Sequence, residues 1–353
     1  MNTSTLQNVL ELARWAPSGD NTQPWRFEIL GEDHVLVHGF DTRDHCVYDL
    51  EGHGSQMAVG ALLETLALAA SLHGYRAHID RRPETPENHL LFDVRFQPSP
   101  EREPDPLASW IERRSVQRRL LSFRSLTATQ KDALERSVGA GYRIRWFEIL
   151  PKRFQIAKLC FHNAKIRLIT RECFEVHRQI IEWGSRFSAD RIPSRAIGVD
   201  PVTERLMQWV LASWRRVRFF NTYLMGHLAP RLELDFLPGL ACAAHFAIKA
   251  DAPPRTVDAR VSAGRAMQRF WLTATAQGLQ LQPEMTPLIF ANYICRHIPF
   301  TADDSARRIA ERLAPAFERL IGNPETIVFM GRIGSGRAPY ARSLRLRLER
   351  LML

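Results

Sequence analysis

Apolar residues at Leu6, Val9, Leu10, Ala13 and Ala16 recur at helical spacing, with Ser4 and Thr5 as candidate caps. Pro17 disfavours helical backbone at Ala16 and ends that helix. A polar turn follows from Ser18 to Gln23, where Gly19 permits a sharp bend. Trp25 to Leu30 then reads as a strand anchored by its tryptophan. Farther along, Gly60–Tyr75 can be laid without gaps over Gly264–Leu279, so that Leu68 meets Leu272, Ala70 meets Ala274 and Gly74 meets Gly278. Both stretches predict buried helices closed by a C-terminal glycine and followed by a strand. A second echo pairs Phe27-Glu28-Ile29-Leu30 with Phe147-Glu148-Ile149-Leu150. The chain thus reads as two related halves, joined by a proline-rich linker from Gln97 to Pro106. The last strand is read at Thr326–Met330, with a glycine-rich turn after it.

A long insertion, 151–249, separates the second half's first strand from its glycine-bounded helix. Helical stretches are read at Ile156–Phe187 and Thr203–Leu228, with a break at Ser188–Pro201. Their aromatic residues Trp183, Trp209, Trp214, Phe219, Phe220 and Tyr223 are expected to pack helix against helix. The functional alternative is a lid.

Composition narrows the field. The 353 residues carry a formal charge of +10, owed to arginine more than lysine. The arginines are scattered, so no nucleic-acid partner is expected, and the charge suits small anionic ligands equally well. Cys46, Cys160, Cys173, Cys242 and Cys295 are odd in number and far apart, which favours reduced thiols and a cytoplasmic setting. No secretory leader is read, and apolar runs such as Ala61–Leu72 are short for a membrane span, so no membrane partner is expected.

The turn itself carries the chemistry. Pro17-Ser18-Gly19-Asp20-Asn21-Thr22-Gln23-Pro24-Trp25 resembles the PSxxNxQPW segment of the nitroreductase superfamily of FMN-dependent oxidoreductases. Glu112 to Arg119, containing Arg113-Arg114-Ser115-Val116-Gln117, resembles that family's arginine-serine motif. In the family two subunits pair, and each flavin touches the arginine-serine motif of one and the PSxxN turn of the other. Here the turn lies in the first half and the arginine-serine motif in the second; Gly139-Ala140-Gly141-Tyr142 stands where a second turn would be. The resemblance therefore implies a fused dimer with one composite flavin site and one lost. It implies an α+β nitroreductase fold: two pseudo-symmetric halves, 1–100 and 101–353, on mixed sheets wrapped by helices, plus the helical insertion.

Carried over residue by residue, Arg113, with its neighbour Arg114, faces the FMN phosphate, and Arg342 or Arg337 joins it from the C-terminal segment. Guanidinium groups suit a phosphate dianion because they donate two parallel hydrogen bonds and stay charged. Ser115 serves the ribityl chain. Pro17, Ser18 and Asn21 serve the ring, and Glu284 and Met285 lie in the segment whose backbone passes flavin N5. Gln117 departs from the pattern: many relatives place Lys or Arg there, and a neutral amide supplies no charge to a reduced ring. Arg118 or an arginine of the lid is the expected compensation.

The implied function is hydride transfer from NADPH or NADH through FMN to a small acceptor such as a nitroaromatic or quinone, with no side chain acting as the main acid or base. The alternatives are an FMN storage or sequestration protein with little turnover, and a biosynthetic flavin oxidase or dehydrogenase. A monomer with an internal pseudo-dimer, or a further homodimer, fits the fused reading. The histidines His34, His38 and His45 fit no familiar metal spacing, and none is assigned to a metal. Gly331, Gly334 and Gly336 do not make a dinucleotide fingerprint.

Overall fold

The first helix, α1 (Thr3–Ala13), forms where apolar spacing puts it, burying Leu6, Val9, Leu10 and Ala13 on one face. Its cap is Asn2, whose side chain accepts from Thr5 N at 2.7 Å, in place of Ser4 or Thr5. In this computed structural model, which describes residues 1–101 and 103–353, the chain continues through β1 (Trp25–Gly31), β2 (His34–Phe40), α2 (His53–Ser71), β3 (Tyr75–Arg81) and β4 (His89–Pro98). Gln97 and Pro98, assigned to the linker from sequence, complete β4; Arg102 of that linker lies outside the described residues.

The second half opens with α3 (Ala128–Ser137) and β5 (Tyr142–Phe147). The insertion then contributes α4 (Leu150–Ile169) and α5 (Arg171–Ile180). Two-residue strands β6 (Ile181–Glu182), β7 (Phe187–Ser188) and β8 (Ile192–Pro193) follow. After them come α6 (Pro201–Leu211), α7 (Trp214–Tyr223), α8 (Leu228–Arg231) and, beyond a π-helical turn, α9 (Leu237–Leu240). The core pattern resumes with β9 (Ala244–Ala250), α10 (Val257–Ala276) and β10 (Leu279–Pro283). Helices α11 (Thr286–Cys295) and α12 (Asp304–Ile321) precede β11 (Ile327–Ser335), and a short β12 (Arg342–Ser343) lies in the C-terminal arm.

Further boundaries differ from the sequence reading: the helical stretch read to Phe187 ends at Ile180. Residues 244–249, placed in the insertion, form β9, the second strand of the second half's sheet. The glycine-rich segment after Met330, read as a turn, stays extended to Ser335, because Gly331 and Gly334 let other backbones approach where a Cβ would clash. A Cβ at Gly331 would lie 2.4 Å from Gln282 O.

The halves share one topology. Apart from the elements inserted between β5 and β9 and the helices α11 and α12 between β10 and β11, each runs helix, strand, strand, helix, strand, strand, and the antiparallel sheets have orders β1-β2-β4-β3 and β5-β9-β11-β10. Register makes the equivalence residue-specific. Trp25 faces Gly39 as Tyr142 faces Ala250, and His34 faces Arg95 as His245 faces Arg332. Phe27 is accordingly matched by Ile144, so the Phe-Glu-Ile-Leu echo is offset from the true repeat: Phe147 closes β5, and Leu150 opens α4. Arms add parallel bridges, Phe27 to Met352 and Val116 to Leu281.

Helices α2 and α10 cross at the centre, and the crossing is reciprocal. A Cβ on Gly60 would lie 2.0 Å from Val261 O, and one on Gly264 would lie 2.0 Å from Met57 O. Val261 and Met57 each sit one helical turn before the opposite glycine, so the pair obeys a local two-fold. Only glycine allows backbones this close. Around this crossing Leu62, Leu63 and Leu66 pack on the first sheet, and Met267, Phe270 and Trp271 on the second.

Candidate functional site

The PSGDNTQPW turn is held in a costly conformation. Asp20, Asn21 and Gln23 all have positive φ, at 50°, 64° and 48°. Such residues persist only when their surroundings fix them, and they cluster at binding sites. Here the braces are visible. Ser18 Oγ accepts from Gln23 N at 2.9 Å, and Trp25 is fully buried. Gln23 donates through Nε2 to Ala189 O at 2.9 Å and accepts through Oε1 from Leu346 N at 2.9 Å. Asn21 donates through Nδ2 to Ala189 O at 3.1 Å and Arg191 O at 3.3 Å, while its Oδ1 accepts from Arg345 Nη1 at 2.9 Å. The insertion and the C-terminal arm therefore both grip the turn. Asn21 acts as a brace in this arrangement, whereas the Ser18 hydroxyl retains a proton to donate.

Three arginines gather beside it. Arg114, 3 % exposed, lies over the Trp271 ring at 4.5 Å and donates to Trp15 O at 3.3 Å. Arg342 lies over the Trp15 ring at 5.2 Å and donates to Glu112 O at 2.8 Å. Arg345 donates to Ala16 O at 2.9 Å. Nε of Arg114 and Nε of Arg342 are buried with no hydrogen-bond partner among the described residues. Burial and then mutual repulsion push the pKa values of Arg114 and Arg345 down, that of Arg345 to about 9. Charge this poorly compensated suits an anionic partner. Arg113 is elsewhere, exposed and stacked on Trp110 at 5.0 Å. The Arg337 side chain is also exposed, and its contribution is a carbonyl that accepts from Gln117 Nε2 at 2.8 Å. Ser115 is half-buried in the motif loop between Arg114 and Gln117.

A second charged group stands near the turn. Asp20, Tyr48, Arg118, Arg167, His177 and Asp235 are enclosed by protein yet keep partial exposure; for Arg167 and Asp235 it is 23 % and 18 %. Arg167 pairs with Asp235 at 2.6 Å, and Tyr48 Oη meets His177 Nε2 at 2.9 Å. Burial raises the Asp20 pKa to about 6 against the pull of Arg118, and lowers His177 to about 3 with help from Arg167. Burial also lowers Arg118 to about 10; Asp20 opposes that shift while Arg332 and Arg167 add to it.

Next to Arg118, Arg332 on β11 is 1 % exposed. Its Nη2 donates to Arg118 O at 2.7 Å, but Nε and Nη1 have no partner among the described residues. Across the ladder stands His245, whose Nδ1 meets Glu284 Oε2 at 2.7 Å and whose Nε2 meets Gly239 O at 2.8 Å. A carbonyl only accepts, so with Glu284 ionised both ring nitrogens donate and His245 is an imidazolium. Burial works against that charge and the Glu284 carboxylate outweighs it, raising the pKa to about 10. Glu284 is thus balanced by His245, and the charge of Arg332 is left over. The Glu284 N–H is taken up by Met330 O at 2.9 Å, so this residue does not offer its amide to a ligand. Met285 follows as the residue that caps α11.

Comparison with known proteins bears on the same elements. A provisionally named NAD(P)H nitroreductase of Mycobacterium tuberculosis, Rv3131, is 27 % identical over 297 residues, which cover 82 % of this chain and 78 % of that protein. Over most of its length the chain is thus similar to a protein named as a nitroreductase. A second provisionally named NAD(P)H nitroreductase of the same organism, acg, is 30 % identical over 101 residues, 28 % of this chain and 30 % of that protein. A nitroreductase-like structure from Bacillus cereus aligns with 70 % of this chain and 95 % of its own at 12 % identity and a TM-score of 0.35, too distant to carry a structural argument. No protein-family model matches.

Among the described residues the arrangement is not repeated on the other side of the pseudo-two-fold. There, Val138, Gly139, Ala140 and Tyr142 border a cavity of 470 Å³ together with Arg81, Arg136, Arg265 and Arg269. Every one of those guanidinium groups is already paired. Arg81 meets Asp258 at 2.7 Å and Arg265 meets Glu64 at 2.8 Å; Arg269 joins Glu64 and Asp105, and Arg136 joins Asp132. Neither the braced turn nor the uncompensated arginines recur.

Proposed function

We propose that this chain is an FMN-dependent NAD(P)H oxidoreductase with one composite flavin site per chain. The observation that carries the reading is the buried arginine cluster with unpartnered Nε atoms, set against the strained PSGDNTQPW turn of the opposite half. Bound FMN would supply the two-electron carrier between a nicotinamide and a small acceptor. Arg114, Arg342 and Arg345 would hold its phosphate, Ser115 the ribityl chain, and Pro17 and Ser18 the ring; Asn21 would fix the turn. Arg332 and Arg118 would supply the positive field that Gln117 does not, and a fixed cation makes electron uptake by a neighbouring ring more favourable. The group of Asp20, Tyr48, Arg167 and His177 would face the acceptor, with a nitroaromatic or quinone as the class tested first.

Anaerobic mixing of FMN-loaded protein with excess NADPH, then NADH, tests this directly. Rapid bleaching of the visible flavin band is expected; a yellow solution that persists with both would reject the reductase. One observation favours a second reading, in which the chain holds FMN with little turnover. The insertion's Ala189 and Arg191 carbonyls clamp the turn, and Ser343 Oγ binds Arg191 O at 2.9 Å, closing a strap over the site. Tight FMN binding without bleaching would select that reading.

A further inference from the structure

Helices α6 and α7 and the residues after them form an outward hairpin whose apolar side chains face away from the protein. Helix α6 buries no residue at all, and α7 buries Val217 alone. Val202 is 75 % exposed and Tyr223 72 %, and Leu206, Trp209, Phe219, Leu224 and Met225 are exposed beside them. The aromatic residues are contiguous: Trp209 meets Phe220 at 5.8 Å, Phe220 meets Phe219 at 6.1 Å, and Phe219 meets Tyr223 at 5.2 Å between ring centroids. This stripe was expected to be a helix-packing core; its outer half has nothing packed on it.

The charges select the partner. Between residues 201 and 229 the exposed charged side chains are Arg205, Arg215 and Arg218, and Arg216 lies over the Trp209 ring at 4.4 Å. The one acid in that span, Glu204, is half-buried and takes a hydrogen bond from Ser194. Asp200, exposed at the N-terminus of α6, already accepts from Val202 N, Thr203 N and Thr203 Oγ1, so a second copy docked face to face would set these arginines against their own images with only this capping acid nearby. An amphipathic segment with Trp, Tyr, Phe and Leu on one side and arginine at its borders matches the headgroup layer of an anionic bilayer. No helix among the described residues is long and apolar enough to cross a membrane. We infer that the α6–α7 hairpin is a peripheral docking surface for lipid bilayers bearing anionic headgroups, in place of the expected absence of a membrane partner.

The test is co-sedimentation of the full chain with vesicles of phosphatidylcholine alone or mixed with phosphatidylglycerol. Binding to the mixed vesicles only, released by salt, is expected. The double variant Phe219→Ser with Tyr223→Ser alters exposed positions only and should abolish it. Arg215→Glu with Arg218→Glu should weaken it by roughly fivefold or more per arginine. Protein that stays in the supernatant with both vesicle types overturns the proposal. So does concentration-dependent self-association in sedimentation velocity that the serine variant removes, which would assign the face to another copy of the chain.

Discussion

Arg114 and Arg342 should matter far more to FMN affinity than Arg113, although all three lie in or against the same motif. Each buried guanidinium makes charge-assisted contacts, so Arg114→Ala or Arg342→Ala should cost roughly 2 kcal/mol, some thirtyfold in Kd. Arg113→Ala should change Kd by less than about threefold, as expected of an exposed cation. Fluorescence titration with FMN compares them. Arg332 belongs to the same scale. Arg332→Met should lower the flavin midpoint potential by about 30 mV or more, near 1.4 kcal/mol for a two-electron couple, while Gln117→Lys should raise it. An unchanged potential in folded Arg332→Met would remove that residue from the electrostatics of the site. Asp20 gives a pH signature. Its folded pKa of about 6 lies above the unfolded value, so its contribution to stability is complete below pH 4 and is lost as pH rises through 6. Asp20→Asn should therefore raise Tm relative to wild type by more at pH 8 than at pH 4. The turn's residues were legible because PSxxNxQPW is a local signature, whereas Arg332 was hidden among glycines that read as a turn. Asp20, Tyr48, Arg167 and His177 come from four separate segments, and no local pattern links them.

At the scale of elements, the crossing of α2 and α10 is the joint between the halves. Gly60→Ala or Gly264→Ala would force a methyl group into an opposing carbonyl, at a cost of about 3 kcal/mol or more. Urea unfolding should show the loss, with the two substitutions alike because the contacts are reciprocal. A variant as stable as wild type would mean that the helices can separate without penalty. The sequence revealed this pair of helices correctly, since each carries a long apolar face and is followed within three residues by a glycine. It failed at the strands. The Phe-Glu-Ile-Leu echo matched letters while the ladders are set by different partners, and β9 was absorbed into the insertion because its apolar run carries no boundary of its own.

The whole molecule is built of two halves whose sheets have the same order and share a central helix pair, and among the described residues the strained turn and the unpartnered arginine Nε atoms beside it occur at one of the two symmetry-related positions. The division of labour was readable from where the two motifs fall. The missing second turn was also read, from Gly139-Ala140-Gly141-Tyr142; the ion pairs beside it were not, because they join distant residues: Glu64 with Arg265 and Arg269, and Arg269 with Asp105. Titration of the apoprotein with FMN, followed to saturation, tests this asymmetry most directly. One FMN per chain, lost together in Arg114→Ala with Arg342→Ala, is the predicted result. Two per chain, or one that survives both substitutions, would contradict the account.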